Sequence, residues 1–390
     1  MFGLTIMIAL ILAPLVLVTG FFALEVLAGL IPLRQPDSSP GEASAVVVIP
    51  AHDEEQVIGQ TVVEIGKTAP AAFRLLVVAD NCADRTAEVA RSAEAGVIVR
   101  DEPERRGKGF ALAAAREYLR HSPPDVVVVV DADCRIDGAS LDALIAAAAG
   151  SGRPCQSVNL LKPDLKAPPL VQLSTFAFMI KNLVRQRGLQ RLGGRAHLTG
   201  TGMALPWSIF ANANLGESNI VEDLALGLDL AERATPPMLV EGATIWSPAA
   251  SAGGTLVQRR RWEGGYLATA LKAAPSAFAR SLARGDVRGF CAALDLSVPP
   301  LALLVMLNAF ALALALGAAQ IGAAAWPAIV LLAVGVIAAA AVVLAWLREG
   351  RRFASGATLL RLPFYVLWKL PLYAGMLIKG APKEWLRSGR

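Results

Sequence analysis

Five consecutive valines, Val126–Val130, run directly into Asp131-Ala132-Asp133. No other stretch narrows the possible folds so sharply. An unbroken β-branched run, bounded by Pro124 and Gly138, has no polar face to offer water. It fits a strand covered on both sides, as in a parallel sheet flanked by helices. Ligands of such sheets bind outside the carboxyl ends of the strands, and here the chain places two carboxylates one residue apart. If the segment stays extended, side chains at i and i+2 point to the same side, so Asp131 and Asp133 converge. Two hard oxygen ligands at that position suit Mg or Mn holding a diphosphate. An isolated Asp-x-Asp also arises by chance roughly once in a few hundred residues, and it serves equally as a turn and helix cap. Its weight therefore comes from what surrounds it.

Those surroundings alternate between strand and helix. Ala45–Pro50 reads as a first strand, followed by Ala51-His52-Asp53-Glu54-Glu55 and a helical stretch to Gly66. Phe73–Ala79 reads as a second strand ending in Asp80-Asn81, with Asp84 and Thr86 opening the next helix, and Val97–Val99 is a short third strand. Arg106-Gly107-Lys108-Gly109 leads into an Ala-rich helix to Leu119. This alternation predicts an α/β fold with a doubly wound, mostly parallel sheet. Lys108 in its glycine turn is a candidate phosphate ligand, because bare backbone permits close approach. It lacks the GxxxxGK[ST] frame of a P-loop, and a solvated lysine at a helix start is the plainer alternative.

The second half is less regular. Thr199-Gly200-Thr201-Gly202 is a small-residue strand or loop that lets a substrate lie close to backbone. Val221-Glu222-Asp223 opens a helix to Arg233, where acids in a first turn also serve as dipole partners. Gln258-Arg259-Arg260-Arg261-Trp262 is the remaining outlier. It reads either as a polybasic surface touching lipid headgroups, or as arginine forks that neutralise a diphosphate while Trp262 packs on a sugar ring.

The ends of the chain differ in kind. Of 390 residues, 55% are hydrophobic, and the excess is concentrated at the two ends. Leu4–Leu24 is long enough to cross a bilayer. It has neither a basic lead-in nor a convincing cleavage site, so a signal peptide fits less well. Arg34 just beyond it places the following domain in the cytoplasm, and Glu25 is expected at the inner edge of the span. Leu296–Leu316 and Ala323–Leu347 read as a membrane hairpin, with Arg348-Glu349-Gly350-Arg351-Arg352 a cytoplasmic basic loop. Leu359–Ile378, interrupted by Arg361, Pro363, Lys369 and Pro371, reads as an interfacial or re-entrant amphipathic segment. The expected division is 1–33 membrane anchor, 34–290 cytoplasmic domain and 291–390 membrane hairpin, amphipathic segment and basic tail. Gln35–Ser44 is the linker.

A net charge of +5 suits an inner (plasma) membrane protein facing anionic lipid. With no basic-aromatic stripe, it gives no sign of nucleic-acid binding. Four cysteines without CxxC spacing suit a reducing compartment, and three scattered histidines make no zinc site.

In this order the pieces resemble a membrane-bound family 2 glycosyltransferase with the GT-A nucleotide-sugar fold, of the cellulose-synthase-like or bacterial exopolysaccharide type. The resemblance covers Ala45–Trp262 and a tail, Lys383-Glu384-Trp385-Leu386-Arg387. It rests on Pro50–Glu54, Asp80–Asp84, Arg106–Gly109, Asp131-Ala132-Asp133, Gly200–Met203, Glu222-Asp223 and Gln258–Trp262. By that resemblance Ala51, Glu54 and Asp80 line the nucleoside pocket and Lys108 contacts the donor diphosphate. Asp131 and Asp133 hold the base-side edge and a Mg or Mn ion. Glu222-Asp223 matches the catalytic motif, with Asp223 as base, while Gly200, Thr201, Gly202, Gln258, Arg261 and Trp262 border acceptor and diphosphate. Val221 stands where processive members often have Thr, and the spans are few, which weakens the case for polymer extrusion.

The resemblance implies an inverting transfer of a sugar from a nucleoside diphosphate, UDP for preference, to a cell-envelope or exopolysaccharide acceptor. The first alternative is single addition to a membrane lipid such as a polyprenyl phosphate, hopanoid or ceramide-like molecule. The second is a nucleotide-sugar binding membrane protein without catalysis.

Overall fold

The computed structural model describes residues 2–34, 43–68, 73–216, 222–249 and 252–379. The linker reading at 35–42, Val221 and the tail at 383–387 lie outside them. The centre is an eight-stranded sheet: β1 (Ala45–Ala51), β2 (Phe73–Asp80), β3 (Gly96–Arg100), β4 (Val126–Val129), β5 (Arg135–Ile136), β6 (Cys155–Leu161), β7 (Met203–Pro206) and β8 (Met238–Ser247). Their order is β3-β2-β1-β4-β7-β6-β8-β5. β3, β2, β1 and β4 are mutually parallel and β6 pairs parallel with β8, whereas β7 and β5 run against their neighbours. The mostly parallel α/β sheet expected from the alternation is therefore present.

The valine run shows why. Val126, Val128 and Val130 point into one core with Ile58, Ile65, Leu141 and Leu144. Val127 and Val129 point into the other, with Leu112, Leu119 and Phe210. All five are 0% exposed, each burial contributing about 1.5–3 kcal/mol. A strand with a polar face could not be covered twice in this way.

The sequence reading did not anticipate the helix that joins the sheet to the first apolar helix. It runs from Pro169 to Met179, continues as a π-helical turn Ile180–Arg185, and ends as Gln186–Gly193. It packs against the first apolar helix, Phe2–Gly29, at very close range. A Cβ added at Gly188 would run into the Glu25 carbonyl oxygen, and one at Gly29 into that of Val184. Glu25 is 0% exposed. This corrects its expected place at a wet membrane edge: the carboxylate pairs with Arg185 at 2.5 Å, and Arg185 reaches Asp295 at 2.5 Å. Asp295 in turn meets His197 Nε2 at 2.5 Å. Buried charges persist only when paired in this manner.

Among the described residues, three helices are long and apolar enough to cross a membrane: Phe2–Gly29, Leu301–Gln320 and Trp326–Arg348. The hairpin begins later than expected because Pro299-Pro300 interrupts it. The residues before that break belong to a separate helix, Val287–Ser297, packed on the domain. The region 359–378 is broken into short helices, Leu362–Trp368 and Leu370–Lys379. Its Lys369 is buried and bonded to Glu263, whose other oxygen accepts from Tyr373 Oη at 2.6 Å.

Candidate active site

The ends of β1 and β2 are zipped together by their loops. Asp53 (φ 52°) and Asn81 (φ 51°) both take the left-handed conformation, which Asn and Asp tolerate best among residues with a Cβ. The Asp53 carboxylate accepts from Ala83 N at 2.7 Å, His52 Nδ1 lies 2.8 Å from Asp80 O, and Glu54 N donates to Thr86 Oγ1 at 2.7 Å. Ala51, Glu54 and Asp80 consequently line one end of a single large cavity. The Asp80 carboxylate is held at 2.5 Å by Arg100, whose other donors reach Arg105 O at 2.6 Å and Glu102 at 2.9 Å. Arg100 was not singled out from the sequence. It faces Asp80 through the β2–β3 register, which becomes visible once strands are paired.

Asp131 and Asp133 both line the cavity, but not as neighbours on an extended strand. β4 ends at Val129 and the chain turns at once, Cys134 N donating to Asp131 O at 3.0 Å. The turn, rather than the strand's two-residue period, places the carboxylates. Asp131 N donates to Thr201 Oγ1 at 3.0 Å, and the Asp131 carboxylate pairs with Lys108, which also donates to Gly200 O at 2.6 Å. Burial pulls the Lys108 ammonium down, yet Asp131, Glu222 and Asp223 outweigh it and hold the group above its usual range.

The donor set fits a hard divalent cation. Two carboxylates face the cavity, and the adjacent Cys134 thiol is pushed well up by burial and by both aspartates, so it offers no competing thiolate. A second group, His52, Asp53 and Cys82, also brings possible ligand atoms within 4.8 Å of one another. Its atoms are engaged in closing the loops, and burial pushes the Cys82 thiol up.

The same spot receives Asp223 from far along the chain. Gly200 (φ 85°) has no room for a side chain: a Cβ there would sit 3.1 Å from Asp223 Oδ2 and 3.7 Å from Lys108 Nζ. Asp223 Oδ1 accepts from Leu224 N at 2.8 Å. Burial raises the Asp223 carboxyl, opposed by that hydrogen bond and by Lys108 and Lys181. Glu222 is pushed up to about 7, first by burial and then by Asp223. Gln258, Arg261 and Trp262 line the cavity too, and burial pulls Arg261 down against the pull of Glu222, Asp131 and Asp223.

Two expectations need correction. Gly202 (φ 65°) faces Ser157 and Ile245 inside the sheet, not the cavity; its bareness serves packing. Trp262 keeps its place in the cavity lining and is braced there by Phe178, 5.5 Å away, and by the Arg259 guanidinium, 5.4 Å from its centroid. Arg259 is 6% exposed and bonded to Ser174, so the arginine run is no open lipid-facing patch.

Residues 42–265 match the family described as glycosyltransferase like family 2. The chain belongs to that family. An uncharacterised glycosyltransferase of Mycobacterium tuberculosis is 34% identical over 103 residues, 26% of this chain and 43% of that protein. An uncharacterised protein of Methanocaldococcus jannaschii is 34% identical over 87 residues, 22% of this chain and 34% of the relative. The chain thus spans less than half the length of these curated relatives. Among solved structures, a mannosyltransferase from Pyrobaculum calidifontis, in complex with GDP-Man and Mn2+, is 18% identical with a TM-score of 0.56, over 93% of this chain and 99% of that one. Glucosyl-3-phosphoglycerate synthase from Mycobacterium tuberculosis, with Mn2+ and UDP, gives 18% identity and a TM-score of 0.39 over 58% and 86%. The fold is GT-A, and the solved neighbours hold a divalent metal and a nucleotide or nucleotide sugar.

In this family 2 glycosyltransferase the cavity does not stop at the cleft. With a volume of about 1480 Å³, it continues past Asp223, Trp262 and Lys181 to Thr19, Asn308, Leu331, Gly335 and Val342 among the apolar helices. Asn308 Nδ2 donates to Thr19 Oγ1 at 3.0 Å there. Lys181 on the π-helical turn was missed by sequence reasoning. The Pro168-Pro169 start signal and the apolar run after it could have flagged the helix, though not the direction of the lysine.

Proposed function

We propose that this protein is an inverting glycosyltransferase that moves one sugar from a nucleoside diphosphate to a membrane lipid. The observation that carries the choice of acceptor is the continuity of the cavity, from the carboxylates of Asp131, Asp133 and Asp223 to the apolar helices. Of the two acceptor classes expected from the sequence, a saccharide has no use for an apolar extension, whereas a lipid tail does. Ala51, Glu54 and Asp80 would bind the nucleoside. Asp131 and Asp133 would hold Mg or Mn, which supplies Lewis-acid neutralisation of the departing diphosphate. Lys108 and Arg261 add positive charge to the same region. Asp223 takes the acceptor proton, its raised carboxyl being a stronger base than an ordinary aspartate. One base and no covalent nucleophile correspond to a single in-line displacement. Glu222 would stand beside the base, Gly200 gives the room against it, and Gln258 borders the acceptor.

The basic residues Arg34 and Arg348–Arg352 favour the domain lying on the cytoplasmic side of a plasma membrane, with 34–290 as the catalytic unit between the anchor 1–33 and the membrane region 291–390. The experiment is incubation of the protein in lipid nanodiscs with labelled UDP- and GDP-sugars and Mg or Mn, followed by lipid extraction. A single glycolipid is the expected product. A water-soluble ladder of oligosaccharides would instead return the exopolysaccharide reading.

A further inference from the structure

Two cations along the membrane-side half of the cavity already have an anion. Arg185 is paired with Glu25 and Asp295, and Lys369 with Glu263. Two others have no carboxylate partner among the described residues. Lys181 is accessible from the cavity, and its recorded contact is the face of Tyr266, with Nζ 4.8 Å from the ring centroid. Arg259 uses Nε and Nη2 on Ser174 Oγ and O, both at 2.9 Å, and its guanidinium stacks against Phe178 and Trp262 at 5.3 and 5.4 Å. Those contacts fix the guanidinium without neutralising it. The two cations also feel one another. Burial pulls Lys181 down first, then Arg185 and Arg259 push the same way, against Asp223 and Glu263. Lys181, Asp223 and Arg259 all line this one cavity. The π-helical turn that carries it is a local irregularity of the kind found at functional sites.

Arg259 is buried without a carboxylate partner, a costly state unless an anion joins it, and Lys181 opens onto the same cavity. We propose that Lys181 and Arg259 seat a phosphate of the acceptor, so that the acceptor class is an anionic phospholipid, with its phosphate beside Asp223 and its tail among the apolar helices. This rests on the lipid-transferase reading above. The step balances simply. An acceptor oxygen bonds to the anomeric carbon, and the bond from that carbon to the diphosphate oxygen breaks. Its electron pair leaves with the nucleoside diphosphate. The proton of an alcohol goes to Asp223, whereas a phosphate oxygen attacking for itself carries none.

The test offers the nanodisc-embedded protein four acceptors with the donor panel: a polyprenyl phosphate, phosphatidylglycerol, neutral diacylglycerol and tail-less glycerol 3-phosphate. One of the first two is expected to be glycosylated. Lys181→Ala is expected to raise its KM about tenfold, the usual weight of one charge-assisted contact, with the donor KM changing less than about twofold. Lys181→Arg keeps the charge and is expected to recover most of the affinity, separating lost charge from lost folding. Diacylglycerol used as well as the phospholipids, or a lipid KM indifferent to Lys181→Ala, overturns the anion seat while leaving the lipid transferase standing. Glycerol 3-phosphate used as well as the lipids overturns the tail. A soluble oligosaccharide elongated in place of every lipid overturns the parent reading and this inference together.

Discussion

The two halves of the cleft are built by different means. On the β1–β4 side, Asp80 and Asp131 sit at or just past the carboxyl ends of parallel strands, and the charge of each is met nearby. Asp80 has Arg100 across one register step, and Asp131 has Lys108 from the next helix back. On the acceptor side, Gly200, Asp223, Arg259 and Lys181 come from four separate segments. They are brought together by an antiparallel strand, a helix with a π-helical turn and a long helix returning from the sheet. Two cations there lack a carboxylate among the described residues. A side built from strand ends is shaped by backbone geometry. A side assembled by packing against apolar helices can be shaped to an acceptor with an apolar tail, as proposed above.

The largest effect should come where the two sides meet. Asp223→Asn is expected to cut turnover by roughly 10²–10⁴-fold with donor affinity, measured by nucleotide binding, nearly unchanged. Equal loss of both would show that Asp223 belongs to the donor side. Arg100→Ala strips the partner from a buried carboxylate, Asp80 and Arg100 being 9% and 7% exposed at the side chain. It should cost about 3–5 kcal/mol of stability, read by denaturant melts, and weaken the donor more than the acceptor. Gly188→Ala drives a methyl into the Glu25 carbonyl. The helices must part, at a cost of about 1–3 kcal/mol, and here acceptor kinetics should suffer more than donor binding. The reverse pattern would mean that the anchor helix does not shape the acceptor side.

The smallest effect is one of pH. Glu222 has its folded value raised from an ordinary 4.5 to about 7, so the folded state holds the proton more tightly than the unfolded chain. Stability should accordingly fall as pH rises from near 4.5 past 7. Melting temperature followed from pH 5 to 8 should decline for the wild type relative to Glu222→Gln, by about a few degrees. Parallel curves would show that Glu222 is not buried as a carboxylate.

Legibility followed the same divide. Ala45–Ala51, Phe73–Asp80 and Lys108–Leu119 were read within a residue or two, because doubly covered strands must be apolar throughout and a Gly-Lys turn marks a helix start. The acids at their ends were readable for the same reason. Strand β6, the helix Pro169–Gly193 and the turn at Asp131–Cys134 were not, and with them went Arg100, Lys181 and the true surroundings of Gly202 and Trp262. Glu25 is the clearest case. A carboxylate near the end of an apolar run looks interfacial until a buried arginine from residue 185 is placed beside it.

What the residue order settled had a local cause: the doubly covered parallel strands, the three membrane-length helices and the kind of chemistry the strand ends can offer. The joining of cleft and apolar helices into one cavity, and the pairing or solitude of each charge along it, depended on contacts between residues far apart in the chain, 160 positions for Glu25 and Arg185 and 289 for Thr19 and Asn308. Periodicity and composition report what a side chain is and which way its own element turns it. Which opposite charge will meet it is set only when distant elements pack.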